Sequence, residues 1–198
     1  MKQHLIIYAH PSPRSFSYKL KDRLAQESVA RHWQANVRDL YEMGFNPVLS
    51  PSDLQQLKSG RTPSDIAAEQ ALLSRADVVT LIFPLWWASY PAIVKGYIDR
   101  VFSYGFAYKT GSNGIEGLLK GKKVVLFTSM GNSMEEYEEK KLFGAFRQTL
   151  GHEIFDFCGM EIIHHHFFPQ VPDTSEEMKE AYLNEALRAF DSVWGHEE

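Results

Sequence analysis

The stretch "FPLWWASYPAIVKGYIDRVF", Phe83–Phe102, decides how this chain is read. Its first residues end an apolar run, "DVVTLIFP" (Asp77–Pro84), which reads as a strand buried on both faces. Its last residues form an amphipathic pattern with Ile93, Tyr97, Ile98, Val101 and Phe102 at helical spacing, opened by Pro91, which suits a first helical turn. Between them lies a turn rich in large aromatic residues, Trp86, Trp87 and Tyr90. Turns lie at the surface and aromatic rings are costly to hydrate, so the turn is expected to wall a flat, apolar ligand.

The same alternation extends in both directions. "LIIYA" (Leu5–Ala9), "NVRDLY" (Asn36–Tyr41), "KKVVLFTSMG" (Lys122–Gly131) and "MEIIHHHFF" (Met160–Phe168) read as strands. Helical patterns separate them. Phe16, Leu20 and Leu24 share one helix face, and so do Met178, Tyr182, Leu183, Ala186, Leu187, Phe190 and Trp194. Thr174 with Glu177 makes a capping box for the last helix, whereas Ser64 lacks the partner acid and caps weakly. Strands alternating with helices imply an α/β fold, a doubly wound five-stranded parallel sheet with helices on both faces. The whole chain, 1–198, is expected to form one domain.

Composition narrows the partners. With 198 residues, 44% of them hydrophobic, there is enough chain for a sizeable core. A net charge of −4 gives no strong pull toward nucleic acid or an anionic membrane. No apolar run approaches the roughly 20 residues of a membrane span, so no stable membrane insertion is expected. The single cysteine, Cys158, rules out a disulfide within the chain. A cytoplasmic location is the expectation.

Ligands of open α/β sheets bind beyond the carboxyl ends of the strands. The loops after the first, third and fourth strands therefore carry the candidate residues. "HPSPRSFSYKL" (His10–Leu20) offers a helix N-terminus for phosphate, with His10, Ser15 and Ser17 as donors and Arg14 as a cation, but no glycine-rich nucleotide fingerprint. The tryptophan turn offers walls for a ring. "TSMGNSMEEY" (Thr128–Tyr137) offers Thr128, Ser129, Gly131, Asn132 and Ser133 in a small polar turn, with Gly131 allowing close backbone approach. Its amides suit an electron-rich ring edge, and Tyr137 could set a phenol over that edge. Phosphate, flat ring and polar ring atoms are together the parts of a flavin nucleotide. "IIHHHFF" is read as non-metal: strand alternation separates His165 from His164 and His166, and no acid is evident beside the latter pair.

On these residues the chain resembles the NAD(P)H:quinone oxidoreductases of the DT-diaphorase type, which have the flavodoxin-like fold. The motifs that carry the resemblance are "AHPSPRSFSY", "RDLYEMGFNPVLS", "PSDIAAEQ", the opening stretch, "GFAY" and "FDFCGM", in family order from about Leu5 to Met160. The resemblance implies a tightly bound flavin, hydride transfer from NAD(P)H through it to a quinone, ping-pong kinetics and a homodimer. It places His10, Ser15, Phe16 and Ser17 on the phosphate side. It places Pro84, Leu85, Trp86, Trp87 and Ala88 along the ring, and Thr128, Ser129, Met130, Gly131 and Asn132 at the pyrimidine edge. Tyr137 matches a catalytic tyrosine and Tyr108 a second one. Trp87, Tyr108 and Phe157 would line the substrate pocket, the latter two supplied by the other subunit, and Asp99 would approach the flavin across that interface.

Three departures qualify the match. No histidine follows Tyr137 within "YEEKKLF", where the best-known branch has one; the next is His152. Ala88 and Thr110 stand where larger rings are expected. The loop from Ser50 to Ser64 is shorter than in that branch, where an insertion helps hold the adenine of FAD; "HPSPRSFS" implies FAD, and the short loop makes FMN the alternative cofactor. A regulatory flavoprotein of a potassium/proton antiporter and an azo- or nitro-reductase remain alternative readings.

Overall fold

The structure, a computed structural model, describes residues 1–194. Its sheet strands are β1 (Gln3–Tyr8), β2 (Gln34–Asp39), β3 (Val78–Pro84), β6 (Lys123–Ser129) and β7 (Glu161–Phe168), and all of them pair in parallel in the order β2-β1-β3-β6-β7. A two-stranded antiparallel hairpin, β4 (Tyr108–Gly111) with β5 (Gly114–Gly117), stands apart from them. The apolar runs read as strands are the sheet, and β3 is buried along its whole length.

The helices cover both faces. On one face, α1 (Phe16–Ala30) and α8 (Glu176–Trp194) close over Ile6, Tyr8, Ile82 and Phe127 with Leu20, Leu24, Leu183 and Phe190. The other face packs Leu5, Ile7, Leu81 and Leu126 against α3 (Ser64–Arg75), α4 (Ala92–Val101) and the segment that follows β6. Each fully buried Leu or Phe contributes on the order of 1.5–3 kcal/mol. Ion pairs stitch α1 to α8 along their outer rim: Lys19–Glu176, Arg23–Glu180 and Arg31–Asp191.

Several local expectations need correction. The cap of α8 is Ser175, whose Oγ accepts the Met178 N–H at 3.1 Å, rather than Thr174. Met178 is exposed, so the apolar face of α8 starts one turn later, and the side chain of Trp194 lies outside the described residues. The loop from Ser50 to Ser64 contains a helix, α2 (Pro51–Lys58), held by a reciprocal Ser50/Asp53 capping box. The helical segment after β6 is broken into α5 (Met134–Glu139), α6 (Leu142–Arg147), a π-helical turn (Gln148–His152) and α7 (Glu153–Phe155). The first break sits at Lys141, held left-handed at φ 54°. Glu185 of α8 lies 2.9 Å from His166, so an acid does stand beside that histidine; even so, among the described residues no group of His, Cys, Asp and Glu is arranged to hold a metal ion. Among those residues, too, no helix is long and apolar enough to cross a membrane.

Candidate functional site

The register of the sheet sets the candidate loops side by side. Ala9 donates to the Ile82 carbonyl, so the loop after β1 leaves beside β3. Pro84 is level with Ser129, and the Leu85 N–H donates to the Ser129 carbonyl at 2.7 Å. The first loop closes onto the last through the Ser17 and Ser129 hydroxyls, 3.2 Å apart and buried. His10 faces the Trp86 ring at 6.1 Å between centroids. The loops after β1, β3 and β6 thus meet at the carboxyl edge of the sheet, where they bound one candidate cleft.

At its phosphate end, Ser15 caps α1 by accepting the Tyr18 N–H at 3.1 Å. The N–H groups of Phe16 and Ser17 have no acceptor among the described residues, so this helix end offers free donors on the positive side of the dipole. His10 Nδ1 accepts from the Ser12 N–H at 3.0 Å, and burial lowers its pKa. The ring is therefore neutral near pH 7 with its proton on Nε2, a further donor. The Phe16 side chain itself turns into the core, against Phe168 at 5.1 Å and Tyr182 at 6.2 Å, and serves the cleft through its backbone alone.

The tryptophan turn is tight and strained. Trp86 and Ser89 exchange both backbone hydrogen bonds, at 3.1 and 3.0 Å, around Trp87 and Ala88 at φ 51° and 55°. Left-handed backbone in two successive non-glycine residues costs about 1–2 kcal/mol each. Such strain persists where surrounding structure fixes it, characteristically at ligand clamps. Trp87 is fully exposed and Trp86 40% exposed, while Pro84 and Leu85 are buried. Tyr90, expected in the aromatic wall, turns inward instead: it is 6% exposed, packs on Phe83 and donates to the Leu150 carbonyl.

In the polar turn, Met130 is buried, and its N–H donates to the Phe168 carbonyl at 2.8 Å. Thr128 is also buried, with Oγ1 3.3 Å from His165 Nε2, a contact that strand spacing did not reveal. Space around Gly131 is open, and neither its N–H nor that of Asn132 has an acceptor among the described residues. Arg14 is exposed at the rim.

Four expected residues, Tyr137, Tyr108, Phe157 and Asp99, have their recorded contacts outside these three loops. Tyr137 packs on Phe143 and Phe146 at 5.9 and 5.8 Å, with its hydroxyl unbonded among the described residues. Tyr108 meets Phe157 at 5.0 Å and Tyr104 at 5.7 Å. Asp99 pairs with Lys95 at 2.6 Å. Asp99 and Tyr108 line a separate, mainly apolar groove of about 370 Å³ with Leu49, Leu54, Leu57 and Phe102.

Comparisons with known proteins place the chain among NAD(P)H and quinone oxidoreductases of similar sequence and fold. An uncharacterised NAD(P)H oxidoreductase of Haemophilus influenzae is 40% identical over 186 residues, spanning 93% of this chain and 92% of that protein. The ribosyldihydronicotinamide dehydrogenase (quinone) of Mus musculus is 32% identical, spanning 99% of this chain and 94% of its own. Among solved structures, an NAD(P)H:quinone oxidoreductase from Methanothermobacter marburgensis superposes with a TM-score of 0.87 at 27% identity, over 100% of this chain and 99% of that one. Residues 2–193 match the family described as having the flavodoxin-like fold, and the chain belongs to that family.

Proposed function

We propose that this protein is a flavin-dependent NAD(P)H:quinone oxidoreductase. The observation that carries the reading is the single cleft joined by the Ser17–Ser129 contact, with free donors at one end and the exposed Trp87 at the other. The residues present fit a flavin: unpaired N–H groups at Phe16, Ser17, Gly131 and Asn132 match an anionic phosphate and a polar ring edge, and the strained Trp86–Ser89 turn offers an aromatic wall. Relatives named for NAD(P)H and quinone chemistry support the same class.

In this reading His10, Arg14, Ser15, Phe16 and Ser17 hold the phosphate. Pro84, Leu85, Trp86, Trp87 and Ala88 flank the ring, and Thr128, Ser129, Met130, Gly131 and Asn132 frame its polar edge. Bound there, the flavin supplies two-electron hydride acceptance and donation. The chain's own part is to orient flat substrates against Trp87, to keep water from the buried edge, and to offer the Tyr137 hydroxyl as a proton donor. One slot for nicotinamide and quinone in turn gives ping-pong kinetics. FAD is the proposed cofactor and FMN the alternative. A second copy of the chain, covering the groove of Leu54, Leu57 and Tyr104, would bring Asp99, Tyr108 and Phe157 to the cleft of its partner.

The deciding experiment is to purify the protein, release its bound chromophore and identify it by chromatography, then follow NADH and NADPH oxidation with menadione as acceptor. Yellow protein with parallel double-reciprocal lines is expected. Colourless protein that takes up neither flavin would refute the proposal.

A further inference from the structure

His165 lies behind the cleft, and no step described so far uses it. Its place depends on an irregularity in the sheet. Between β6 and β7 the register shifts after Val124, so that Val125 is level with His164 and Leu126 with His165. Residues level across a parallel pair share a face, and faces alternate along each strand. The shift therefore turns His165 to the face that carries Thr128, and sends His164 and His166 to the other. There His165 stacks on Phe167 at 4.2 Å and sets Nε2 3.3 Å from Thr128 Oγ1.

The other ring nitrogen identifies the tautomer. His165 Nδ1 is buried and has no hydrogen-bond partner among the described residues. A buried N–H without an acceptor is rarer and costlier than a bare lone pair. The proton consequently belongs on Nε2, which makes the imidazole a donor to Thr128. Burial, followed by the charges of Arg147, His152 and His166, lowers the pKa of this histidine to about 3, so the ring stays neutral. A neutral ring with one fixed donor acts as a strut.

What it braces is the junction of the cleft. Thr128 immediately precedes Ser129, whose hydroxyl meets Ser17 and whose carbonyl holds the Leu85 N–H at the root of the tryptophan turn. We propose that His165, as its Nε2–H tautomer, is a positioning residue: by donating to Thr128 Oγ1 it fixes the Thr128–Ser129 peptide to which the other two cleft loops are tied. The role of the cleft rests on the flavin reading above, but the strut is a property of the protein alone.

The test uses the purified full chain and the variants His165→Gln and His165→Leu. Nitrogen-15 spectra of histidine-labelled wild type, assigned by the signal lost in His165→Gln, should show Nε2 protonated and Nδ1 bare; the opposite tautomer overturns the proposal. Amide hydrogen exchange at Leu85 should accelerate at least tenfold in His165→Leu. It should return to within threefold of wild type in His165→Gln, whose amide can still donate. Unchanged exchange in the leucine variant, or no rescue by glutamine, also overturns it. Flavin affinity, measured by titration, should follow the same order. If wild type binds no flavin, the functional reading falls while the tautomer and exchange results still decide the strut.

Discussion

The hydroxyls of Ser17 and Ser129 lie 3.2 Å apart across 112 residues of sequence. One belongs to the first turn of α1 and the other to the last residue of β6. Parallel strands with long crossovers bring such distant loops to one edge, and this contact is where two of them meet.

Removing either hydroxyl should loosen the cleft without unfolding the protein. A hydrogen bond of this kind contributes about 0.5–1.5 kcal/mol. Ser17→Ala and Ser129→Ala are each expected to weaken flavin binding about 2- to 12-fold, the same energy expressed as a ratio. The double variant should fall short of the product of the two, because the residues touch. Flavin fluorescence quenching on titration of the apoprotein measures all of these values.

Trp87 should separate binding from stability. Its side chain is fully exposed and its backbone is left-handed. Glycine adopts that backbone freely, so Trp87→Gly is expected to hold or raise the melting temperature. The ring contact with a flat ligand is lost, at about 0.5–1.5 kcal/mol, and affinity should drop accordingly. Calorimetry and titration on the same preparation check the two directions together.

Acid should destabilise the fold through buried histidines. His4 is enclosed between Ser28 Oγ at 2.7 Å and Thr80 Oγ1 at 2.8 Å, and burial lowers its pKa to about 3, as it does for His165. Below the unfolded value of 6.5 the unfolded chain takes up protons that the folded chain refuses. Stability is therefore complete above that pH and lost progressively between it and about pH 3. Each histidine adds about 1.4 kcal/mol per pH unit within the window. Urea unfolding at pH 7 and pH 5 should register the loss, and His4→Leu should reduce the slope by about 1.4 kcal/mol per pH unit while lowering stability overall.

Arg100 should prove a structural keystone. It is nearly buried, donates to both oxygens of Asp53 at 3.0 and 3.3 Å, and also reaches Asp65 and the Asn46 carbonyl. Arg100→Met strands the buried Asp53 carboxylate, and breaking such a pair costs about 3–5 kcal/mol. Because Asp53 caps α2, chemical denaturation should show the loss, and proteolysis should begin near Pro51–Lys58.

The sequence made the sheet legible because its strands are buried on both faces and read as unbroken apolar runs. The cleft was legible for the same reason, since strand ends point to loops. α2 was missed because its eight residues are mostly polar, and Ser50 with Asp53 was its one clear signal. The hairpin Tyr108–Gly117 was missed because four-residue strands rich in glycine carry no alternation to count. Tyr90 was misplaced since a turn's composition does not say which ring faces inward. His165 could not be connected to Thr128 before the register shift at Val124/Val125 was known.

The ion-paired seam between α1 and α8 bears on how the chain is made. α8 emerges from the ribosome after every strand of the sheet, yet Leu183, Ala186 and Phe190 seal the face that α1 only partly covers. Until α8 has been made and has docked, Phe127 and Phe168 lack their lid, and the nascent protein presents an oily surface that chaperones and proteases can seize. Lys19, Arg23 and Arg31 then serve as a docking strip that draws in the acidic side of α8 and closes that face.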